Sequence, residues 1–339
     1  MTTPRVSVLM PAYNAAATLA ATLDSLLVQT LADCEIVAVD DGSTDATRDI
    51  MAAYARRDAR VRPVGVAHGG IVAALNAGLA HCRAPYVARM DADDLCLPER
   101  LAVQADFLDA HPDVGLVACR VAFGGDRARF GGYARYVDWT NTLLDHDQIS
   151  LGRFRESPFA HPSVCFRATV ANAHGAYRDG PFPEDYELWL RWLDAGVRMA
   201  KVDRELLVWN DPPNRLSRTD PRYDTTKFYE VKTRWLARWL ARHNPHHPHV
   251  LVMGAGRTTR RRADLLETHG IAITAYVDID PKKVGNTVNG KPVIDRASMP
   301  PAGSCFALPY VANHGADADI RAFLESRGYA LGRDFLPVA

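Results

Sequence analysis

The sequence predicts an α/β protein in two parts, and three observations carry that expectation. Short apolar runs rich in β-branched residues alternate with segments of helical spacing through the first hundred residues. Three of these runs stop at polar clusters: Pro11-Ala12-Tyr13-Asn14, Asp40-Asp41-Gly42-Ser43-Thr44-Asp45 and Asp91-Ala92-Asp93-Asp94. The alternation breaks at His243-Asn244-Pro245-His246-His247-Pro248 and then restarts. Strands alternating with helices imply βαβ units, a largely parallel sheet and ligands at the carboxyl ends of the strands.

Taken in order, Val6 to Met10 is the first strand, stopped by Pro11, and Leu19, Leu23, Leu26 and Leu27 follow at helical spacing. Glu35 to Val39 is the second strand, after which Ser43 or Thr44 can cap a helix carrying Ile50, Met51 and Tyr54. Ile71 to Leu79 reads as a helix, Tyr86 to Met90 as a strand ending at Asp91, and Pro98-Glu99-Arg100 as the next helix start. From Gly124 to Ser157 the period fades, so long loops and one helix near Trp139 to Leu144 are expected. Asp185 to Ala195 is helical, with Leu188, Trp189, Trp192 and Leu193 on one side. The loop Asp211-Pro212-Pro213-Asn214 leads to a long helix from Tyr223 to Arg242. Beyond the proline-broken linker come a strand (Val250 to Met253), a Gly254-Ala255-Gly256 turn, a helix to Gly270 and a strand from Ile273 to Val277. Weaker strands at Pro292 to Ile294 and Cys305 to Pro309 complete the pattern. The expected domains are 1–243 and a small 244–339.

Composition narrows the class. Hydrophobic residues at 47% and charged residues at 24% exclude wholesale disorder and a membrane-embedded bundle. Forty basic side chains balance forty acidic ones, which argues against a dedicated nucleic-acid binder. No apolar run approaches the ~20 residues of a spanning helix, and Met1 to Arg5 opens no secretory signal. Six scattered cysteines without a C-x-x-C pair fit buried thiols in a reducing cytoplasm.

The chemistry centres on Asp91, Asp93 and Asp94. Three carboxylates in four residues repel one another unless a cation or several donors offset the charge. Hard divalent ions prefer oxygen ligands and are often shared with substrate phosphates. A solvated acidic turn ahead of the helix at Arg100 is the plainer reading of the same residues. Glu184-Asp185, opening a helix, is likewise either a dipole-favoured acidic pair or a site for acid–base chemistry.

Five ordered motifs decide between these readings: Ser7 to Asn14, Val39 to Asp45, Ala88 to Asp94 with Pro98 and Arg100, His161 to Arg167, and Pro183 to Arg191. In this order they resemble the family 2 glycosyltransferases of GT-A fold, over residues 5 to about 240. The resemblance implies an inverting, metal-dependent transfer of sugar from a nucleotide-diphosphate donor, a UDP-sugar, to a carbohydrate or lipid-linked acceptor hydroxyl. Cell-surface polysaccharide or glycoconjugate synthesis is the expected setting. It implies that Pro11 and Tyr13 flank the base and that Asp41, beside Asp40, accepts from an imide N–H. Asp91 would meet the ribose or the metal's shell, and Asp93 would ligate Mn2+ or Mg2+ directly, with Asp94 orienting the loop. Asp185 would be the base, its pKa lowered by the helix N-terminus. Glu184, His161, Trp189 and Arg215 (or Arg218) are candidates for acceptor or diphosphate contacts. Core packing remains the plainer reading of Trp189 and Trp192, while a structural hydrogen bond for His161 and a solvated loop for the arginines stand as equal alternatives. His68-Gly69-Gly70 is a turn near the nucleotide edge with little to mark it for contact.

The helix from Lys227 to Arg242 shows an aromatic face (Phe228, Val231, Trp235, Trp239) that suits either packing on the first domain or peripheral contact at the inner face of a membrane. The expected location is the cytoplasm or that inner face. In the second domain, Gly254-Ala255-Gly256 after a strand and Asp278 after the next match a Rossmann-like turn, although Thr259 stands at the third glycine position. The domain resembles truncated nucleotide-binding modules such as the N-terminal domain of bacterial sugar acyltransferases. His246, His247 and His249 could form a metal tract, but Pro245 and Pro248 favour an exposed linker. Two alternatives stand beside the transferase: an NAD(P)-binding oxidoreductase or bifunctional enzyme acting through this domain, and an inactive nucleotide-sugar-binding scaffold.

Overall fold

A computed structural model describes residues 3–212, 215–311 and 315–339. Pro213 and Asn214 of the expected loop lie outside the described residues. The chain packs as two compact units, Met1–Ile149 with Pro158–Pro221 and Ser150–Ser157 with Arg222–Ala339. The long helix Thr225–His243 thus packs within the second unit, so the break in packing falls one helix before the proline-broken linker.

The first unit is built on eight strands: β1 (Val6–Ala12), β2 (Cys34–Asp40), β3 (Val61–Gly65), β4 (Tyr86–Arg89), β5 (Leu95–Cys96), β6 (Val114–Phe123), β7 (Val164–Arg167) and β8 (Arg198–Trp209). They lie in the order β3-β2-β1-β4-β7-β6-β8-β5. The β3-β2-β1-β4 half is parallel, and β7 runs antiparallel to both β4 and β6. Because β2 and β3 extend to one side of β1 and β4 lies on the other, strand order reverses between β1 and β4. Ligands in open α/β sheets bind outside the carboxyl ends at such a point. Here those ends are Ala12, in register with Asp40, and Asp91, just past β4.

β1 and β2 are buried at every position, as strands covered on both faces must be. Helix Gly70–His81 lies close on one face because Gly78 has no side chain. A Cβ there would come within 2.4 Å of Leu9 and 2.7 Å of Val39. The stretch expected as long loops instead holds helices Gly131–Thr140 and His146–Gly152. Ala134, Val137 and Thr140 are buried at a three-residue spacing, a face that the flanking glycines and arginines obscure in sequence. The helix expected near Trp139 to Leu144 therefore ends at Thr140.

The second unit holds β9 (His249–Met253), β10 (Ala272–Asp278), β11 (Thr287–Val288), β12 (Lys291–Asp295) and β13 (Ala307–Pro309) in the order β11-β12-β10-β9-β13, parallel except for β11. The helix Thr225–His243 buries Val231, Trp235, Leu236 and Trp239 here. Trp239 meets Phe154 and Phe306 edge-on. Val231, Trp235 and Trp239 of the expected aromatic face are thus buried in this unit's packing. Lys232, pushed down to about 7 by burial, donates to the carbonyls of Phe154 (3.0 Å), Arg155 (3.2 Å) and Val338 (2.7 Å). Among the described residues, no helix is long and apolar enough to cross a membrane.

Candidate active site

The ends of β1 and β2 are stitched together by small polar side chains. Asn14, at φ +50°, donates its N–H to Ser43 Oγ (2.9 Å) and accepts the Thr44 N–H at Oδ1 (2.9 Å). The Ala15 N–H donates to Thr47 Oγ1 at 2.8 Å. This lays Pro11 and Tyr13 along the sheet edge, with the Tyr13 ring 47% exposed and stacked on His68 at 4.2 Å between centroids. Asp40 is buried, yet hydrogen bonds from Ser43 and the Arg48 guanidinium (3.0 Å) outweigh that burial and hold its carboxyl below the usual range. Asp41 is also buried. Its carboxylate accepts the backbone N–H groups of Gly69 and Gly70, both at 2.9 Å, which open the helix behind them.

The Asp91-Ala92-Asp93-Asp94 loop is held from several elements. Thr18 and Thr22, on the first helix and its cap, donate to the carbonyls of Ala92 and Asp94, both at 2.9 Å. At the end of β8, the Asn210 N–H donates to Asp94 Oδ1 (2.8 Å) and its side chain donates to the Asp93 carbonyl (2.7 Å). Arg100 is buried and donates to the Arg89 carbonyl at 2.8 Å, which fixes the end of β4 from below. One carboxylate oxygen from each of Asp91, Asp93 and Asp94 lies within 4.8 Å of the others, the only such metal-capable group among the described residues. Burial and the Asp91 charge push Asp93 up to about 6, and burial with both neighbours pushes Asp94 well above the carboxylate range. Asp94 Oδ2 is buried without a partner. An all-oxygen set, a surplus of negative charge and an orphaned acceptor fit a hard divalent cation.

A buried arginine, unmarked by motif reasoning, supplies a fixed positive charge against this cluster. Arg89 Nη2 donates to Asp91 Oδ1 at 2.7 Å. The signal was present: a charge inside an otherwise apolar strand needs a partner.

Helix Glu184–Asp194 opens with the acidic pair. Asp185 departs from the expected direction. Burial and the neighbouring Glu184 charge push its carboxyl up to about 8, and the Tyr186 N–H at 2.6 Å offsets this only in part. The helix dipole, worth a few tenths to one kcal/mol at an exposed terminus, loses to desolvation here. Asp185 also feels the charges of Arg89 and Asp91, so the acidic pair and the metal-capable cluster share one electrostatic environment.

His161 is buried, donates or accepts at Nε2 with the Tyr177 hydroxyl (2.8 Å), and lies 4.0 Å from Glu184. Burial, with the Arg89 charge, holds it far below the histidine range, so it is a neutral hydrogen-bonding residue. Trp189 is fully buried, edge-on to Phe159, His161 and Trp192. Its ring has no face for a sugar, and the core reading is the correct one. Arg215 sits 3.8 Å over the Trp209 ring and pairs with buried Asp211 at 3.3 Å, while Arg218 pairs with the same carboxylate at 2.7 Å. Arg215 also tempers the pKa of Asp93, which puts a preset cation beside the acidic loop rather than free in solvent.

In the second unit, the Gly254 to Gly256 turn follows β9 as expected, with Gly254 at φ +103°. Asp278 is taken up by the fold. Its oxygens accept the N–H groups of Ala255 (2.8 Å), Ile279 (2.9 Å) and Asp280 (3.0 Å) and the Lys283 amine (3.2 Å). His246 Nε2 meets the Gly303 carbonyl at 3.1 Å, as a structural contact of the linker.

Residues 7–173 match the profile of glycosyl transferase family 2. The amylovoran biosynthesis glycosyltransferase AmsE of Erwinia amylovora is 34% identical over 189 residues, 55% of this chain and 67% of its own length. Among solved structures, S. aureus TarS 1-349 in complex with UDP-GlcNAc superposes with a TM-score of 0.56 at 18% identity, over 78% of this chain and 71% of that one. The mannosyltransferase PcManGT from Pyrobaculum calidifontis in complex with GDP-Man and Mn2+ superposes with a TM-score of 0.52 at 21% identity, over 71% and 64%. Motif order, sheet topology and these likenesses agree: the chain belongs to glycosyl transferase family 2, with the GT-A fold in its first unit.

Proposed function

We propose that the chain is an inverting, metal-dependent glycosyltransferase that uses a UDP-sugar in bacterial surface-polysaccharide synthesis. The observation that carries this reading is the shared environment of Asp185 and the Asp91, Asp93 and Asp94 cluster at the sheet's switch point. The amylovoran enzyme supports the setting, and the TarS complex supports uridine. A carbohydrate or lipid-linked hydroxyl is the acceptor class.

In this reading Pro11, Tyr13 and Asp41 surround the nucleoside, and Asp91 and Asp93 hold Mn2+ or Mg2+. The bound cation would neutralise the charge that builds on the departing diphosphate. Arg215 lies near enough to Asp93 to share that charge. The acceptor oxygen bonds to the anomeric carbon as the bond to the diphosphate oxygen breaks, the electron pair leaving with the nucleotide. Asp185 takes the hydroxyl proton, and a carboxylate titrating near neutrality suits that task. One displacement gives inversion.

Calorimetric titration with UDP, with and without manganese, and with GDP and NAD as controls, tests the donor class. Manganese-dependent UDP binding supports it. A preference for GDP moves the donor to guanosine sugars, and binding of NAD alone moves the function to the second unit.

A further inference from the structure

We infer that Arg191 is the positioning residue for Asp185: its guanidinium pins the strip from His174 to Tyr177 against the helix that Asp185 opens, and so closes the loop that carries the chain to the acidic pair. The inference rests on the reading of Asp185 as the base.

Arg191 is buried, and each of its three guanidinium nitrogens is engaged. Nη1 donates to the His174 carbonyl and, at 2.9 Å, to that of Gly175. Nη2 donates to the Ala176 carbonyl at 2.7 Å. Nε donates to Glu187, one turn earlier on the same helix, and Glu187 Oε2 lies 3.1 Å from both Nε and Nη2. The ion pair sets the planar fork before it meets the strip. Trp192 Nε1 donates to the Gly175 carbonyl as well, at 3.1 Å. Gly175 has φ +84°, and a Cβ on it would fall 3.2 Å from Arg191 Nη1, so a side chain there would press on the guanidinium.

Capping of a helix end is the plainer account of an arginine set on carbonyls. Helix Ala168–His174 ends at the first of these three carbonyls, however, and the other two belong to the chain beyond it. The next residue, Tyr177, is tied twice to Asn76 of helix Gly70–His81. Its N–H donates to Asn76 Oδ1 at 3.2 Å, and its carbonyl accepts from Nδ2 at 2.9 Å. Its buried hydroxyl meets His161, and the charges of Arg89, Glu184 and Asp185 all act on it. The loop 178–183 leaves this fixed strip and returns at Pro183, whose carbonyl takes the Glu187 N–H at 3.0 Å. Both ends of the loop that leads to Asp185 are therefore held by Glu187 and Arg191 of its own helix. The polar clusters at Asp41 and Asp91 stand on other elements, after β2 and β4.

A lysine at 191 keeps a charge for Glu187 but brings a single nitrogen to carbonyls that the planar fork spans. The test is hydrolysis of UDP-glucose, UDP-galactose and UDP-N-acetylglucosamine with Mn2+, followed as UDP release from the fastest of the three, with water in the acceptor's place. Arg191→Lys should lower kcat by about 10–100-fold, the cost of a reacting group displaced by about 1 Å, while donor KM and UDP affinity change by less than about twofold. Gly175→Ala presses on the same contact from the strip and should do likewise, which keeps the contact testable should the lysine variant not fold. Added to Asp185→Asn, Arg191→Lys should cost nothing more, because residues that act as a unit are not additive. A multiplied loss in that double variant would overturn the inference, and so would a KM that rises while kcat holds. Full hydrolysis by both Arg191→Lys and Gly175→Ala, with Asp185→Asn impaired, would overturn this inference alone. Full hydrolysis by Asp185→Asn would remove the base reading and this inference with it.

Discussion

Arg89 donates to Asp91 at 2.7 Å from a guanidinium that is itself shut away from solvent. The pair sets a fixed counter-charge below three crowded carboxylates and links the loop after β4 to the acidic helix start at Glu184. Arg89 also draws Asp185 and Asp93 toward ionisation.

Arg89→Met should therefore lower stability by about 1–2 kcal/mol, the worth of a charge-assisted hydrogen bond to a partly exposed carboxylate. Added Mn2+ should raise the melting temperature of this variant more than that of the unmodified protein. Thermal melts with and without the ion check both parts.

Asp93→Ala should remove the manganese dependence of nucleotide binding, with UDP affinity falling at least about tenfold toward the metal-free level. Paired titrations with and without Mn2+ read this directly. A variant that still responds to manganese would remove Asp93 from the ligand set.

Asp185→Asn should leave UDP affinity nearly unchanged while turnover falls by about 10²–10⁴. It should also stabilise the protein in a pH-dependent way. The carboxyl titrates near 8 when folded against about 4 when unfolded. Folding thus favours the protonated acid, and stability tied to this group drains away as pH rises between those values. The variant's melting temperature should match the unmodified protein near pH 4 and exceed it by about 2–6 °C at pH 8.

The same titration sets the rate profile. kcat/KM should climb as pH rises through about 8 and the base loses its proton. Glu184→Gln removes the neighbouring negative charge, so the climb should move to lower pH by on the order of one unit. A profile unmoved by that change would separate the inflection from Asp185.

Asp278→Ala should destabilise the second unit by about 2 kcal/mol, through loss of the bonds from Ala255, Ile279, Asp280 and Lys283. NAD should not restore the lost stability. Restoration by NAD would mean that this acid had been reading a ribose.

Much of the fold was legible because its signals are local. β1, β2 and β4 are buried on both faces, so their apolar runs are unbroken, and the clusters at Asn14, Asp41 and Asp91 stand where those runs stop. The misses share a cause: each depends on what another element does. Helix Gly131–Thr140 shows its buried face only once Val137 has a sheet to lie on. The helix start at Asp185 reads as a site that favours charge until burial and Glu184 reverse the direction. Arg89 is one arginine among many until Asp91 lies against it, and His68 is an ordinary turn residue until the Tyr13 ring lies on it. Trp189 was open to two readings, and only its surroundings of Phe159, His161 and Trp192 decide for the core.

Ser150–Ser157 lies in the middle of the first unit's sequence yet packs in the second, where Phe154 meets Trp239 and Lys232 binds the carbonyls of Phe154 and Arg155. In sequence, the second unit is therefore drawn from two separated segments rather than from one appended stretch. A gene cut at any single position leaves one piece short of its own residues. Loss or exchange of the accessory unit by simple truncation would strip that eight-residue strip of its partners. Recombination can swap the two units cleanly only by carrying both segments together.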